Sequence, residues 1–222
     1  MPDRVLAVNH LVISRVILFS LLSSILFSAC GPGTPSPTPQ VIDIYATAAT
    51  QPWLSDLYGC AAQESVVLRL SDLQSAEIVL RIGQPADLTT PAFQIDSEDI
   101  LIVTNRESPV QNLTADEAWK LFAQGQPGVQ VWVFAPGDDV RQIFEQEIMQ
   151  GASTTSLARL AANPQQMSDT LNAEKDTVGI LPRHWKAGTV RDVYTIPDVP
   201  VLAILGKNPH GAVEGLLACL QK

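Results

Sequence analysis

The chain is predicted to be an α/β protein built on a largely parallel sheet. Three observations carry this. Short β-branched runs such as Val66–Leu70, Ile78–Ile82 and Asp99–Val103 are bounded by turn residues, as in strands buried on both faces. Helix-start signals fall between such runs. The two patterns alternate along the chain instead of segregating into blocks, which favours layered strand–helix units.

In order, Val41–Tyr45 reads as the first strand. Gln51–Gln63 reads as a helix, with Thr50 or Gln51 as its cap and Pro52 in its first turn. Val66–Leu70 and Ile78–Ile82 follow as strands, the latter stopped by Gly83, and Asp99–Val103 is the fourth. Thr114-Ala115-Asp116-Glu117 is a capping box opening a helix through Phe122 that Gly125 ends. Val131–Phe134 is a strand. Asp139-Val140-Arg141-Gln142 begins a helix running to about Met149, with Asp138 or Asp139 available as its cap. Asn163 caps a further helix with Pro164 at its first position. Val178–Leu181 and Pro200–Leu205 are late strands, and Pro209–Leu220 is the last helix.

Ahead of these elements lies a different kind of segment. Arg4 and Arg15 precede an uncharged apolar run, Val16–Phe27, followed by Ser28-Ala29-Cys30. A positive start, a short apolar stretch and small residues before the cysteine are the parts of an export signal. The stretch falls short of the roughly 20 residues that span a bilayer. It resembles the lipobox of bacterial lipoproteins, with Phe27 in place of the usual Leu. Residues 1–29 are then the signal peptide, and Cys30 is the lipidated mature N-terminus. A plain secretory peptide with a coincidental cysteine is the alternative. Residues 30–40, with proline at nearly every second place, form an extended tether of about 3 Å per residue. The expected location is the extracytoplasmic face of the cell membrane, held by the lipid.

The formal net charge of −9 excludes nucleic acid as a natural partner. With Cys30 assigned to the lipid, Cys60 and Cys219 remain as an even pair. In an oxidising compartment they form a disulfide or stay as two buried thiols. There is no G-x-S-x-G elbow, P-loop or H-E-x-x-H. Beyond residue 29 the histidines are His184 and His210, with no metal-ligand spacing, so no enzyme, metal or cofactor is expected. Glu98 and Asp99 would point to opposite faces of a strand and form no catalytic couple.

Four stretches together resemble the phosphate-binding-protein-like group of type II periplasmic binding proteins. They are Ala46–Pro52, a small-residue and threonine run ending in Gln-Pro; Asn105–Gly125, with Asn112-Leu113-Thr114 opening a short helix; Gly137–Phe144; and Thr177–Pro182. The resemblance implies a two-lobed fold with a shortened first lobe, because few residues separate Val66–Leu70 from Ile78–Ile82. Residues 41–103 plus 187–222 would form lobe I and residues 104–186 lobe II. A small solute would sit between them, held by Thr47, Thr50, Gln51, Arg81, Asp138, Asp139 and Arg141. The implied role is the substrate-capture component of an ABC importer of the phosphate or oxoanion kind, a monomer with a permease partner. The group's Ser-Gly-Thr-Arg loop here reads Asp138-Asp139-Val140-Arg141. A carboxylate in that loop repels a second anion. The same residues therefore also fit a degenerate binding domain kept as a sensor or envelope interaction module.

Overall fold

The computed structural model describes residues 39–221. The signal peptide, Cys30 and the tether up to residue 38 lie outside the described residues. Among those described, no helix is long and apolar enough to cross a membrane.

The first strand, β1 (Gln40–Ala46), leads into a 3-10 segment (Ala48–Trp53) and helix α1 (Leu54–Gln63). Strands β2 (Val66–Leu70), β3 (Ile78–Ile82) and β4 (Ala92–Thr104) follow without an intervening α-helix. Next come α2 (Ala115–Gln124), β5 (Gln130–Phe134), α3 (Asp139–Phe144), a π-helical turn (Glu145–Met149), β6 (Arg159–Ala161) and α4 (Pro164–Ala173). Strand β7 (Thr177–Pro182), a 3-10 turn (Arg183–Trp185), β8 (Arg191–Leu205) and α5 (Ala212–Leu220) complete the order.

All eight strands form one sheet in the order β2-β1-β3-β8-β4-β7-β5-β6. The expectation of a largely parallel sheet is corrected to a mixed one. The outer pairs on each side are parallel, but β8 runs antiparallel to β3 and β4, and β4 antiparallel to β7. The source of the difference is the length of β4 and β8. Each was expected as a short segment, and each extends across the centre of the sheet, paired with the other through register shifts.

Two apolar cores flank this long pair. The larger is built on Phe122, Phe134 and Phe144 with Ile100–Val103, Ile180 and Leu181, and the rings of Phe122 and Phe144 lie 4.6 Å apart. The smaller joins Ile42, Ile44, Ile78 and Leu80 of the strands to Leu57 of α1 and Leu216 and Leu217 of α5. β4 and β8 contribute to both. A disulfide between Cys60 and Cys219 ties α1 to α5 with the Cα atoms 5.7 Å apart, an ordinary span for this bond. Between β2 and β3 the chain makes only a turn, held by the Asp72 carboxylate accepting from the Ser75 N–H and hydroxyl. With no helix there, Val67, Leu70 and Leu73 stay about half exposed.

The capping box forms as expected: Thr114 accepts from the Glu117 N–H, and Glu117 accepts from the Thr114 N–H. Asn163 likewise accepts from the Gln166 N–H at the start of α4. The helix expected over Gln51–Gln63 instead opens as a 3-10 segment containing Pro52, with Thr47 as its N-cap and no side-chain cap bond.

Candidate functional site

Several of the expected ligand residues converge at the edge of the larger core, beside Ala49, Ile82, Val140 and Ile143. Thr47 follows β1, Ile82 ends β3, and Asp139 opens α3 just after β5. These strand ends are brought together by the sheet although the residues are 92 and 57 positions apart in sequence.

At their meeting point the Asp139 carboxylate is 3 % exposed. Its Oδ2 accepts from the Thr47 hydroxyl and from the Ile82 N–H, both at 2.8 Å, and its Oδ1 accepts from the Val140 N–H at 3.0 Å. A buried carboxylate is stable only when such donors replace its water. An anion brought to the same hydroxyl and N–H would meet a negative charge already in place.

Asp138, not Asp139, caps the helix. Its Oδ1 accepts from the Val140 and Arg141 N–H groups, at 3.0 and 3.3 Å. The cap assignment left open between the two is thus resolved by orientation: Asp138 turns back on its own helix and Asp139 reaches across to β1 and β3. Burial, and then the neighbouring Asp139 charge, push the Asp138 carboxyl up to about 6 against the pull of its capping N–H groups.

The remaining expected ligand residues are turned to internal work. Thr50 is buried, and its hydroxyl donates to the carbonyls of Thr47 and Leu80. Gln51 is exposed, with no side-chain hydrogen bond among the described residues. Arg141 is 7 % exposed and spends its guanidinium on the Phe134 carbonyl, the Thr154 hydroxyl and Glu145. It cannot present that charge to a solute in this arrangement. Arg81 donates to the Gly83 carbonyl and to Gln142 Oε1, the latter on α3.

The backbone is shaped to permit the approach. Gly83 has φ +73°, and a Cβ there would fall 2.7 Å from Cγ1 of Ile143 on α3. Only glycine lets the end of β3 lie this close to that helix.

A second contact ties the segment after β1 to the turn after β7 through aromatic groups, which sequence reasoning did not single out as a unit. Trp53 packs in the larger core at 5 % exposure, donates its indole N–H to Asp96, and lies tilted by 54° against His184 with ring centroids 4.6 Å apart. Trp185 donates to the Ala49 carbonyl at 2.9 Å. His184 Nδ1 lies 2.7 Å from Oε2 of the buried Glu98, whose Oε1 accepts from the Asp99 N–H. The sequence alone places His184 and Trp185 in a surface turn near the crossover between lobes, with a ligand role as the less favoured alternative; in the structure Glu98 and the Ala49 carbonyl hold that turn.

Two grooves open beside α3. One, of about 750 Å³, is lined by Arg81, Gln84, Asp87, Gln142, Glu145 and Gln146. The other, of about 330 Å³, lies between Gly83, Ile143, Gln146 and the β8 segment Ile196–Pro200. Asp139 lines neither. Among the described residues no group of three or more His, Cys, Asp and Glu side chains is placed to hold a metal.

No protein-family model matches the chain, and no curated protein matches it. Solved structures do. A Clostridium perfringens protein designated a phosphate ABC transporter substrate-binding protein, solved with bound phosphate, superposes with a TM-score of 0.72 at 11 % identity, over 82 % of this chain and 93 % of that one. An ABC-type phosphate transport receptor from Vibrio cholerae gives 0.65 at 14 % identity, over 82 % and 93 %. The CcmR regulatory domain from Synechocystis, in complex with 2-PG, gives 0.60 at 12 % identity, over 82 % and 96 %. At these identities the likeness concerns architecture, and the architecture is the two-lobed type II periplasmic-binding-protein-like fold.

Proposed function

We propose that the chain is a lipid-anchored, extracytoplasmic, monomeric domain of the solute-binding fold whose anion position is filled from within. It serves as a sensor or interaction module and does not carry ionised phosphate. The observation that supports this most is the Asp139 carboxylate, held by the Thr47 hydroxyl and the Ile82 N–H with almost no exposure. A tethered carboxylate competes at a high effective concentration with any free anion. Lipid anchoring at Cys30 rests on the sequence pattern. The division into residues 41–103 plus 187–222 and residues 104–186 is retained as the working description of the lobes.

A second reading, capture of a solute for an ABC importer with a permease partner, is favoured by one observation. Two of the structures that share this fold, from C. perfringens and V. cholerae, are named for phosphate transport. A thermal-shift series with phosphate, sulfate and molybdate separates the two. The internal-anion reading expects no saturable shift for the unaltered protein. A saturable rise in melting temperature with any of the three would transfer the conclusion to the importer reading.

A further inference from the structure

We propose that the 750 Å³ groove between the β3–β4 loop and the α3–π segment binds a small zwitterion of the amino-acid type, its carboxylate at Arg81 and its ammonium at Glu145 and Asp87. One wall of this groove is Arg81, Gln84 and Asp87, from the end of β3 and the loop after it, and the other is Gln142, Glu145 and Gln146, from α3 and the π-helical turn. Its size falls within the range of about 300–1,000 Å³ usual for small-molecule sites.

Arg81, like Arg106, Arg159 and Arg191, makes no salt bridge among the described residues, and it is the one arginine of these that lines the groove. Its guanidinium is aimed instead by two neutral acceptors, the Gly83 carbonyl at 3.1 Å and Gln142 Oε1 at 2.8 Å. A positioned guanidinium with donors unspent is suited to a carboxylate.

The opposite wall supplies acceptors. Glu145 Oε1 is engaged by Arg141, and its other oxygen has no partner among the described residues. Asp87, exposed on the Arg81 wall, adds a second carboxylate to the groove. The side-chain amides of Gln84 and Gln146 make no hydrogen bond among the described residues and can serve either end of a dipolar ligand.

The helix itself is altered at this wall. It passes from α-helix to π-helix at Glu145, and the turn is closed by the Gln150 N–H donating to the Glu145 carbonyl at 2.9 Å. Single π turns re-aim neighbouring side chains and recur at functional sites. A simple anion is disfavoured by the two carboxylates, and a simple cation by Arg81. A molecule carrying both charges satisfies the guanidinium and the carboxylates together.

This site does not depend on the Asp139 contact. The test is calorimetric titration of the full-length protein, in detergent, with each common L-amino acid, and with butyrate and butylamine as single-charge controls. At least one amino acid should bind saturably with Kd below about 1 mM. Gln146→Ala and Gln84→Ala, exposed positions with no internal hydrogen bond to lose, should weaken it about tenfold without moving the melting temperature, and Arg81→Met should abolish it. The proposal is overturned if no amino acid binds at 10 mM on the order of ten times that limit. It is equally overturned if binding survives both glutamine substitutions, or if butyrate or butylamine binds as well as the amino acid. Phosphate binding by the unaltered protein would contradict the internal-anion reading and leave this one standing.

Discussion

Two contacts tie the segment between β1 and α1 to later parts of the chain, and they differ in what could replace them. One is polar: a single carboxylate, Asp139, taking the hydroxyl of Thr47 and the backbone N–H of Ile82. The other is aromatic: Trp53 packed at a tilt against His184, with Trp185 bonded to the Ala49 carbonyl. The polar contact uses groups that an oxyanion from solvent could satisfy equally well. The aromatic contact is made of buried area and shape, which no small anion reproduces. On the proposed reading the polar contact is an internal copy of anion binding, which the aromatic contact is not.

The sharpest break should come from the aromatic side. Trp53→Ala removes a nearly buried indole and is expected to cost about 4 kcal/mol, lowering the melting temperature by roughly 12 °C. Scanning calorimetry should show the same loss in chloride and in phosphate buffer. Asp139→Ala is next, at about 3 kcal/mol, because the Thr47 hydroxyl and Ile82 N–H are left buried without an acceptor. Its loss should be partly recovered in tens of millimolar phosphate, since a bound anion stabilises only the folded state. The general stabilising effect of phosphate on folding is controlled by the tryptophan variant. If both variants respond alike to phosphate, the distinction between the contacts fails.

Gly83→Ala probes the approach itself. Its Cβ would meet Ile143 at a backbone φ of +73°, with an expected cost of about 2 kcal/mol by urea denaturation. The smallest effect, and the only stabilising one, is expected at Asp138. Its folded carboxyl titrates at about 6 and its ordinary value is 3.8, so the folded state holds the proton more tightly than the unfolded chain. The stability this group contributes is full below pH of about 4 and is lost as the pH rises through about 6. Asp138→Asn keeps a helix cap and removes that charge. It should be more stable than the parent by about 1 kcal/mol at neutral pH, after allowance for partial exposure, with the advantage vanishing on acidification. A pH series of melting curves in which the variant runs parallel to the parent would refute the assignment.

What the sequence reveals follows from how local each signal is. The capping box at Thr114 and Glu117 and the Asn163-Pro164 start are decided within four residues, and both form as read. β4 and β8 were legible only in part because their extensions carry polar and proline residues. Gln94, Asp96, Ser97 and Glu98 in β4, with Pro197, Asp198 and Pro200 in β8, interrupt the apolar run without interrupting the strand. Here the pairing of the two long strands outweighs local preference. β6, with only Arg159–Ala161, is too short to show a period. At the site, sequence order brings Asp139 into the expected loop but is silent on its direction. That is set by donors on β1 and β3 far along the chain, and two adjacent aspartates with opposite orientations are indistinguishable in one dimension.

The central claim is that Asp139 stands in for a bound anion. The most direct measurement is calorimetric titration of inorganic phosphate into the unaltered protein and into Asp139→Gly, side by side. No heat of binding from the first and a saturable one from the second, removed again by Thr47→Val, is the expected result. Saturable binding by the unaltered protein, or none by a folded Asp139→Gly protein, would show that the carboxylate is not filling an anion site.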